Sequence, residues 1–554
     1  MISNKKSVQL IHKFCLDLNI LDWVISPGSR NAPLTLTIGN DERFNAIPVV
    51  DERSAAFIAL GQALKINRPV VISCTSGSAS LNYAPAIAEA YYQEIPMLVV
   101  TADRPRKWID NGEGQSIDQV NVYQNYCLKS FHLNEEDPEN LILKTLNEIG
   151  ECLLGVRRGP VHLNLAFEEP LYNTVEMESM EQVFFAPEKP INGIDPKIGE
   201  AFKTKSRIMI LIGQMQRNDE LEYLLSELIC DTRIIVLTES NSNQNNFNFV
   251  NCIDRTLPHI DEKEFWPELV ITLGGAIVSK RIKTYLRSIP GIEHWHISEG
   301  DVFPDVFEKL TRKISNKVTD VIRLLKQNLI VDPVNNFQVI WLQKSFQNQE
   351  KHFKFLEELE WSDLKAHSII HDWLPDHGVL HQGNSSVVRY FQLFDPIKSV
   401  TYLSNRGVSG IDGCVSTAVG YASRDEGLNI LVVGDLSFLY DSNAWWNKFD
   451  KSNLLVIVIN NGGGNIFKII EGPSSSGVLE GFFEVRSDVK ISSIAQAHYI
   501  EYFKADNECK LDEVLNVLIS RYNSSEFKGA IVEVDTRSKE SDVILKNYFR
   551  SVNS

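Results

Sequence analysis

The sequence predicts an α/β protein built from three doubly wound domains with mainly parallel sheets. Apolar runs of strand length alternate with helix-length amphipathic segments almost from end to end. This alternation is typical of parallel sheets that are covered by helices on both faces. The chain has 554 residues, which at roughly 100 to 200 residues per domain is too long for one core.

Three series of strands are expected, with a linker candidate after each of the first two. The first series covers residues 22–26, 46–50, 69–74, 96–103 and 161–165, the second 207–213, 233–239, 269–275 and 293–298, and the third 378–383, 400–404, 429–435, 453–461 and 529–535. The linker candidates are the proline-rich stretch 185–197 and the stretch 331–336. The predicted domains are residues 1–184, 198–335 and 355–554. The N-terminal residues MISNKKSVQLIHKF are expected to form an amphipathic helix.

Composition and charge exclude several classes of function. Lys plus Arg is 55 and Asp plus Glu is 72, so the net charge is −17, which repels nucleic acid and anionic membranes. No apolar run approaches the roughly 18 residues that a membrane span needs. The eight cysteines have no CxxC or metal-binding spacing and are typical of reduced core thiols. We therefore expect a cytoplasmic protein with no nucleic-acid partner and no membrane span.

Two apolar runs end abruptly in polar residues. The run ILVV leads into Gly434 and Asp435, and the run LLVIVI leads into Asn460, Asn461 and three glycines. Ligands of open parallel sheets bind beyond the carboxyl ends of the strands, and a buried carboxylate there needs a cation. Asp435, Asn461 and the Gly463 carbonyl are therefore candidate ligands of Mg²⁺ or Ca²⁺, which prefer oxygen and often bridge a protein to phosphate. The alternative is a pair of ordinary strand-end turns.

The pairing of GD with NN, 26 residues apart from Asp435 to Asn461, resembles the thiamine diphosphate motif, in which GDG is followed by NN at a similar spacing. Leu436 stands where that motif has its last glycine. Glu52 supports the resemblance, because it follows an apolar strand and opens an alanine-rich helix. Thiamine enzymes use a buried glutamate there to protonate the aminopyrimidine ring, and desolvation raises its pKa for that task. Alone, Glu52 could equally be an acid stabilised by the helix dipole.

Further motifs make the resemblance specific. They are SPGSRNAPL (26–34), DERSAAFIALG (51–61), TSGSA (75–79), TADRP (101–105), GNSSVVR (383–389), SNRGVSGIDG (404–413) and GDLSFLYD (434–441). In this order they are similar to the 2-succinyl-5-enolpyruvyl-6-hydroxy-3-cyclohexene-1-carboxylate synthases, thiamine diphosphate-dependent enzymes of menaquinone biosynthesis in which GDL replaces GDG. The resemblance extends from residue 22 to about residue 470.

The resemblance implies a fold and a reaction. The architecture would be that of the thiamine diphosphate-dependent decarboxylases, with a pyrimidine-binding first domain, a middle domain and a diphosphate-binding third domain. The enzyme would decarboxylate 2-oxoglutarate and add the resulting succinyl carbanion to isochorismate in a 1,4 manner. It would use thiamine diphosphate and Mg²⁺, with Mn²⁺ or Ca²⁺ as substitutes for Mg²⁺. It would be a homodimer or tetramer with active sites at the subunit interface.

The functional residues of the family carry over at the matching motifs. Glu52 resembles the pyrimidine-activating glutamate, and Ile411 the bulky residue that holds the cofactor bent. The implied cofactor contacts are Glu52, Gly383, Asn384, Ser385, Ile411, Asp435, Ser437, Asn461, Ile466 and Phe467, and the implied metal ligands are Asp435, Asn461 and Gly463. The implied substrate contacts are Ser29, Arg30, Arg104, Gln115, Lys280, Arg281, Arg389 and Arg406. The implied catalytic residues are Glu52, Gln115, Arg389 and Arg406.

The substrates give a separate physical reason for the cations. Each carries two carboxylates, so an acidic protein needs a local group of positive charges, and arginine suits bidentate carboxylate recognition. Arg389 and Arg406 are expected to hold 2-oxoglutarate. Isochorismate is expected to contact Arg30, Arg104, Lys280 and Arg281. Each cation alone could be a solvated surface charge.

Two other classes share part of this pattern. Another thiamine diphosphate-dependent 2-keto acid decarboxylase, or an acetolactate-type synthase, would share Glu52, Asp435 and Asn461 but would not need the group of cations. A non-catalytic α/β nucleotide-binding protein would be expected to carry a GxGxxG fingerprint, and the sequence has none.

Overall fold

The structure is a computed structural model that describes residues 1–176, 182–187, 193–300, 302–330, 335–469, 477–537 and 539–553. The chain divides into two compact units. The first consists of Met1–Pro190, Asn405–Glu426 and Tyr440–Leu454, and the second of Ile191–Ser404, Gly427–Leu439 and Leu455–Ser554. Parts of both linker candidates, 188–192 and 331–334, lie outside the described residues. The domain boundaries stay predictions.

The first unit contains a parallel sheet of six strands. They are β2 (Asp22–Ile25), β3 (Asn45–Pro48), β4 (Val70–Cys74), β5 (Met97–Asp103), β6 (Ser130–Leu133) and β7 (Val161–Ala166). Their order is β3-β2-β4-β5-β7-β6. The chain runs from β2 to β3 on one side and returns to β4 on the other, so the strand order reverses between β2 and β4. Such a reversal opens a crevice at the carboxyl ends of the strands, where ligands bind.

A short antiparallel pair corrects the prediction for the N-terminus. Ile2–Ser3 (β1) pairs with Thr174–Val175 (β8), so the first helix begins at Lys6 and not at residue 1. The backbone groups of residues 2 and 3 bond to a partner strand, which removes them from the helix. The helices of the first unit are α1 (Lys6–Asp17), α2 (Ala32–Gly39), α3 (Glu52–Ile66), α4 (Ser78–Asn82), α5 (Ala84–Tyr92), α6 (Glu139–Leu154) and α15 (Cys414–Ala422).

Helices α3 and α15 approach each other through glycines. A Cβ at Gly61 would lie 2.0 Å from the carbonyl oxygen of Thr417, and one at Gly420 would lie 2.0 Å from that of Ile58. Only glycine allows backbones to come this close. The contact fixes the position of α3, whose first residue is Glu52.

The second unit contains two further parallel sheets. The five-stranded sheet consists of β9 (Ile208–Ile212), β10 (Ile234–Thr238), β11 (Leu269–Leu273), β12 (Glu293–Ser298) and β13 (Leu310–Ser315), in the order β10-β9-β11-β12-β13. The six-stranded sheet consists of β14 (Val379–Gln382), β15 (Thr401–Leu403), β16 (Asn429–Gly434), β17 (Leu454–Asn460), β18 (Glu501–Ala505) and β19 (Ala530–Asp535), in the order β15-β14-β16-β17-β19-β18. The order reverses between β9 and β11 and between β14 and β16, as in doubly wound folds.

Helices cover both faces of the five-stranded sheet. Ile208, Ile210 and Ile212 pack into one apolar cluster, whereas the alternating Met209 and Leu211 pack into another. The helices of this unit are α7 (Lys197–Lys203), α8 (Asp219–Leu228), α9 (Ile253–Thr256), α10 (Lys280–Ser288), α11 (Val318–Lys326), α12 (Phe337–Glu357), α13 (Asp363–Trp373), α14 (Ser386–Phe391), α16 (Asp435–Tyr440), α17 (Ile466–Ile469), α18 (Ile491–Ala497), α19 (Glu508–Asn523) and α20 (Ser541–Asn553). The predicted fold class is confirmed. None of the helices in the described part of the chain combines the length and hydropathy of a transmembrane segment.

Four of the buried histidines have a strongly lowered pKa: His162, His296, His352 and His367. Burial lowers the pKa of His162 and His352 to about 3. It lowers the pKa of His296 and His367 to about 4. Since an unfolded histidine has a pKa near 6.5, the unfolded chain takes up protons below that pH that the folded chain does not. Each buried histidine therefore lowers the free energy of unfolding by about 1.4 kcal/mol per pH unit as the pH falls from 6.5.

His162→Gln is expected to make the free energy of unfolding less dependent on pH. Urea unfolding between pH 6.5 and pH 4.5 should show a slope reduced by about 1.4 kcal/mol per pH unit, because one proton fewer is taken up on unfolding. His259→Gln is the control, since 74% of the His259 side chain is exposed. An unchanged slope in His162→Gln would contradict the prediction.

Candidate active site

Arg30 and Arg104 meet at the carboxyl ends of the first sheet. Arg30 is buried, and its Nη1 donates to the carbonyl oxygen of Phe167 at 3.0 Å. Arg104 donates through Nε and Nη2 to the carbonyl oxygen of Gly114, at 3.2 and 2.8 Å. Burial, and then the positive charge of Arg104, lower the pKa of Arg30. The structure thus brings two predicted substrate cations within electrostatic reach of each other.

Gln115 lies in the same group of loops. Its carbonyl oxygen accepts a hydrogen bond from Ser76 Oγ at 2.9 Å, and its backbone has φ of 58°. A Cβ at Gly77 would lie 3.1 Å from the carbonyl carbon of Gln115, so the loop after β4 packs directly against it. Ser29 is exposed beside Arg30. Ser29 and Arg30 thus lie on the loop after β2, and Arg104 and Gln115 on the loop after β5, at the carboxyl ends of the first sheet.

Glu52 is the first residue of α3, as the sequence predicts. Asp51 caps this helix, accepting from the backbone N–H groups of Arg53 and Ser54 at 2.9 and 3.2 Å. The Glu52 side chain is half-buried, and burial and the charge of Asp51 raise its pKa. A carboxyl group with a raised pKa holds its proton closer to neutral pH, as an acid that shares a proton with a ring nitrogen requires.

Arg406 and Ile411 lie on a loop that a buried carboxylate holds. Glu89 accepts hydrogen bonds from the backbone N–H groups of Gly407 at 2.6 Å and Val408 at 2.7 Å. Arg406 is buried and Ile411 is half-buried. The loop belongs to the first unit, which also carries Glu52.

In the second unit, Asp435 and Asn461 follow the adjacent strands β16 and β17. Asp435 is buried, and burial together with the charge of Asp363 raises its pKa to about 6. Its carboxylate accepts from the backbone N–H groups of Gly462 and Gly463. The three glycines at 462–464, here called the glycine loop, therefore lie against it. The amide nitrogen of Asn461 donates to Asp363 Oδ2 at 2.7 Å, so the amide oxygen lies on the opposite side of the group.

The glycine loop accepts no larger residue at its centre. Gly463 has φ of 132°, and a Cβ there would lie 2.3 Å from the carbonyl oxygen of Glu484. The Gly463 carbonyl uses one of its two lone pairs to accept from the Asn465 N–H at 2.9 Å. The site thus offers three oxygen ligands: the buried Asp435 carboxylate, which the charge of Asp363 repels, the amide oxygen of Asn461 and the carbonyl of Gly463. This set fits a divalent cation bound to a diphosphate. In the described part of the chain no three His, Cys, Asp or Glu side chains form a metal cluster. The set proposed here differs, because it combines one carboxylate with an amide oxygen and a backbone carbonyl.

Gly463→Ala is expected to weaken Mg²⁺-dependent binding of thiamine diphosphate, because the loop must move away from the carbonyl oxygen of Glu484. We expect a loss of about 10- to 100-fold in affinity by calorimetry, comparable to losing a supporting contact of a metal site. Gly481→Ala is the control, since a Cβ at Gly481 meets nothing within 4 Å. Equal affinities of the two variants would contradict the prediction.

The predicted diphosphate loop follows β14. A Cβ at Gly383 would lie 2.9 Å from the carbonyl oxygen of Val432, so this loop runs close to β16. Asn384 is buried, and Ser385 has φ of 73°, a conformation that costs energy in a residue other than glycine and is often found at ligand sites. Ser437 is buried in α16. These residues border the reversal between β14 and β16.

Ile466 and Phe467 are half-buried and follow the glycine loop in α17. The ring of Phe467 packs against that of Phe483, with centroids 5.4 Å apart. Neither residue belongs to a described apolar core cluster of this unit. This placement agrees better with an apolar wall than with a core role.

Lys280 and Arg281 begin α10, and both line a cavity of about 670 Å³. Its other lining residues are Leu257, Ile260, Thr284, Tyr285 and Ser288. Arg281 Nη1 donates to the carbonyl oxygen of Asp254 at 2.6 Å. The charges of Arg281 and Arg389 both act on the buried Asp254 carboxylate, which also accepts a hydrogen bond from Ser279. Asp254 thus links two predicted substrate cations.

Several buried carboxylates that support these loops are not among the site residues predicted from the sequence. They are Glu89, Glu239, Asp363 and Asp441, together with Asp254, a half-buried residue with a buried carboxylate. Each accepts hydrogen bonds from the part of the chain that it supports; Glu239, for example, accepts from the N–H groups of Val278 and Ser279, both at 2.7 Å, just before α10. Among them only Glu239 directly follows a strand, β10. The other four lie in or directly after helices, where the sequence signal is no more than an acidic residue in apolar surroundings.

Comparison with known proteins defines the class. Residues 5–122 match the family described as thiamine pyrophosphate enzyme, N-terminal TPP binding domain. Residues 199–381 match the family described as middle domain of thiamine pyrophosphate. The crystal structure of benzoylformate decarboxylase from Polynucleobacter necessarius aligns with a TM-score of 0.71 over 96% of this chain and 98% of that chain; at 14% identity, this likeness concerns the fold alone. The protein is a thiamine diphosphate-dependent enzyme.

Curated relatives define the family. The chain is 39% identical to the 2-succinyl-5-enolpyruvyl-6-hydroxy-3-cyclohexene-1-carboxylate synthase of Flavobacterium johnsoniae, over 98% of both chains. It is also 39% identical to that of Flavobacterium psychrophilum over 98% of both chains. It is 36% identical to that of Porphyromonas gingivalis, over 99% of this chain and 97% of the relative. The chain belongs to the family of 2-succinyl-5-enolpyruvyl-6-hydroxy-3-cyclohexene-1-carboxylate synthases, and the predicted family and thiamine diphosphate dependence are confirmed.

Proposed function

We propose that this enzyme condenses 2-oxoglutarate with isochorismate, releasing CO₂ and forming 2-succinyl-5-enolpyruvyl-6-hydroxy-3-cyclohexene-1-carboxylate in menaquinone biosynthesis. The observation that carries the proposal is the grouping of cations in a chain of net charge −17. Arg30 lies near Arg104, and Arg281 and Arg389 share the field of Asp254. Two dicarboxylate substrates require such groups, whereas a monocarboxylate such as pyruvate does not.

Two sets of residues are proposed to hold the cofactor. In the second unit, Asp435, Asn461 and the Gly463 carbonyl would hold Mg²⁺ beside the diphosphate, and Mn²⁺ or Ca²⁺ could replace it. Gly383, Asn384, Ser385 and Ser437 contact the diphosphate. In the first unit, Ile411 would support the cofactor. When bound, thiamine diphosphate supplies the electron sink for the charge left by decarboxylation.

The protein's own residues position groups and move protons. Glu52 donates a proton to the ring nitrogen of the pyrimidine, and its raised pKa supports this role. Arg389 and Arg406 orient 2-oxoglutarate. Isochorismate is oriented by Ser29, Arg30, Arg104, Lys280 and Arg281. Gln115 contacts the reacting groups, and Ile466 and Phe467 keep water away from them.

A decisive assay combines purified protein, thiamine diphosphate, Mg²⁺, 2-oxoglutarate and isochorismate. Loss of isochorismate should match release of CO₂ one for one, and chelation of Mg²⁺ should stop both. Replacing 2-oxoglutarate by pyruvate tests the acetolactate-type alternative. Turnover with pyruvate and none with 2-oxoglutarate would overturn the proposal.

We also propose a homodimer or a tetramer in which Glu52 of one subunit meets the metal site of another, in the cytoplasm. The cytoplasmic location is supported by the eight cysteines, all of them free thiols. Light scattering that finds only monomers under assay conditions would contradict the assembly.

A further inference from the structure

Asp363 is a buried carboxylate behind the predicted metal site. It is the first residue of α13, with 1% of its surface exposed. Its Oδ2 accepts from Asn461 Nδ2 at 2.7 Å, and its Oδ1 accepts from Thr536 Oγ1 at 2.6 Å. The Asp363 N–H donates to Ser541 Oγ at 3.0 Å. In both bonds from Asn461 and Thr536 the Asp363 carboxylate is the acceptor, which is the role of an ionised carboxylate.

These bonds determine how the Asn461 amide is oriented. The amide nitrogen donates hydrogen bonds, and the amide oxygen accepts them. If the amide were reversed, its oxygen would face the Asp363 carboxylate and the two acceptors would repel each other. With the nitrogen on Asp363, the oxygen is directed away from the carboxylate. An amide can bind a divalent cation only through that oxygen.

Asp363 is not required to cap its helix. Ser362 caps α13, accepting from the Lys365 N–H at 3.3 Å. Asp363 and Asp435 are both buried, and Asn461, which contacts Asp363, follows the strand next to that of Asp435. Such an arrangement costs energy unless a cation compensates for it.

We propose that Asp363 is a positioning residue of the metal site, which holds the Asn461 amide oxygen toward the divalent cation and adds negative charge behind it. The inference rests on the proposed function, since it requires Asn461 to be a metal ligand. Supporting partners of metal ligands typically change metal affinity by about 10- to 100-fold when they are removed.

The test measures Mg²⁺ affinity by calorimetry at saturating thiamine diphosphate. Asp363→Ala should bind Mg²⁺ about 10- to 100-fold more weakly than the wild type. Asp363→Asn, which keeps one acceptor for Asn461 but loses the charge, should show a smaller loss of about 3- to 10-fold. If Asp363→Ala does not fold, Asp363→Asn alone decides, and unchanged affinity there overturns the inference.

Two comparisons separate positioning from a purely structural role. Asp231→Asn changes another buried carboxylate, which accepts from Arg233 Nη2 at 2.7 Å; it should lower thermal stability without changing Mg²⁺ affinity. In the background of Asn461→Ala, the change Asp363→Ala should cost little further affinity, because its effect acts through Asn461. Additive losses would overturn the inference.

The outcomes also distinguish this inference from the proposed function. If the wild type binds no thiamine diphosphate in a Mg²⁺-dependent manner, the metal site of the proposed function fails. If the wild type does bind it and Asp363→Ala has the same affinity within about twofold, only the role of Asp363 fails.

Discussion

Replacing Glu52 by glutamine is expected to lower turnover by about 10²- to 10⁴-fold, the usual contribution of a positioned acid or base. Glutamine has the same size but cannot release a proton to the ring nitrogen of the cofactor. Burial and Asp51 raise the pKa of Glu52, which suits a group that must hold and share a proton near neutral pH. The loss corresponds to about 3 to 5 kcal/mol of activation free energy.

The measurement is CO₂ release at saturating 2-oxoglutarate and isochorismate, with Mg²⁺ affinity as a second readout. Mg²⁺ affinity should stay within a few-fold of the wild type, because the proposed metal ligands are unchanged. Asp51→Asn is a matched control: it makes the same chemical change one residue earlier, and asparagine still caps α3. Retention of more than about a tenth of wild-type turnover in Glu52→Gln would show that another group is the acid.

The central strands could be predicted from sequence because parallel strands covered on both faces are apolar throughout. Strands such as β4 and β17 are buried at every position, and each predicted strand overlaps an observed one. Within the three parallel sheets, strands β6, β13 and β18 were not predicted. They lie at sheet edges, and their sequences SFHL, LTRKIS and EYFKA mix polar and apolar residues because one side of each is less covered.

The site loops could be predicted where the chemistry is local. Glycines and polar residues directly after an apolar strand indicate a ligand site, and Asp435 and Asn461 do follow adjacent strands of one sheet. The supporting carboxylates could not be predicted in this way. Glu89 is separated from Gly407 by 318 residues, and Asp363 from Asn461 by 98. Such pairs come together only through the fold, and a single sequence does not record which distant residue an isolated buried acid holds.

Asp435→Asn is expected to abolish Mg²⁺-dependent binding of thiamine diphosphate and yet to stabilise the protein without ligands. Asparagine keeps an acceptor for the N–H groups of the glycine loop but loses the charge that binds the cation. We expect Mg²⁺ affinity to fall by at least about 100-fold. Activity should be lost with it.

The stability effect depends on pH in a defined direction. Burial raises the pKa of Asp435 from 3.8 to about 6, so the ionised carboxylate destabilises the folded state. Well below pH 3.8 the group is protonated in both states and costs nothing. As the pH rises through 6, the free energy of unfolding of the wild type falls by about 3 kcal/mol relative to that of Asp435→Asn. This figure follows from about 1.4 kcal/mol per unit of pKa shift. Urea unfolding at pH 4 and pH 8 measures the difference.

Added Mg²⁺ and thiamine diphosphate should reverse this order, because only the wild type binds them and is stabilised by mass action. A variant that is no more stable than the wild type at pH 8 without ligands would contradict the assigned cost of the buried charge. Gly434→Ala, next to Asp435 where a Cβ meets nothing within 4 Å, is the control and should leave both stability and binding nearly unchanged.

Co-expression of Glu52→Gln with Asp435→Asn tests whether the two groups act across subunits. If they do, a mixed dimer has one site with both native groups and one with neither. Random pairing makes half of the dimers mixed, so about a quarter of wild-type activity should return although each variant alone is inactive. If both groups of a site come from one subunit, each subunit carries a defect and activity should stay near zero. The restored fraction therefore reports directly on which chain supplies the acid to each metal site.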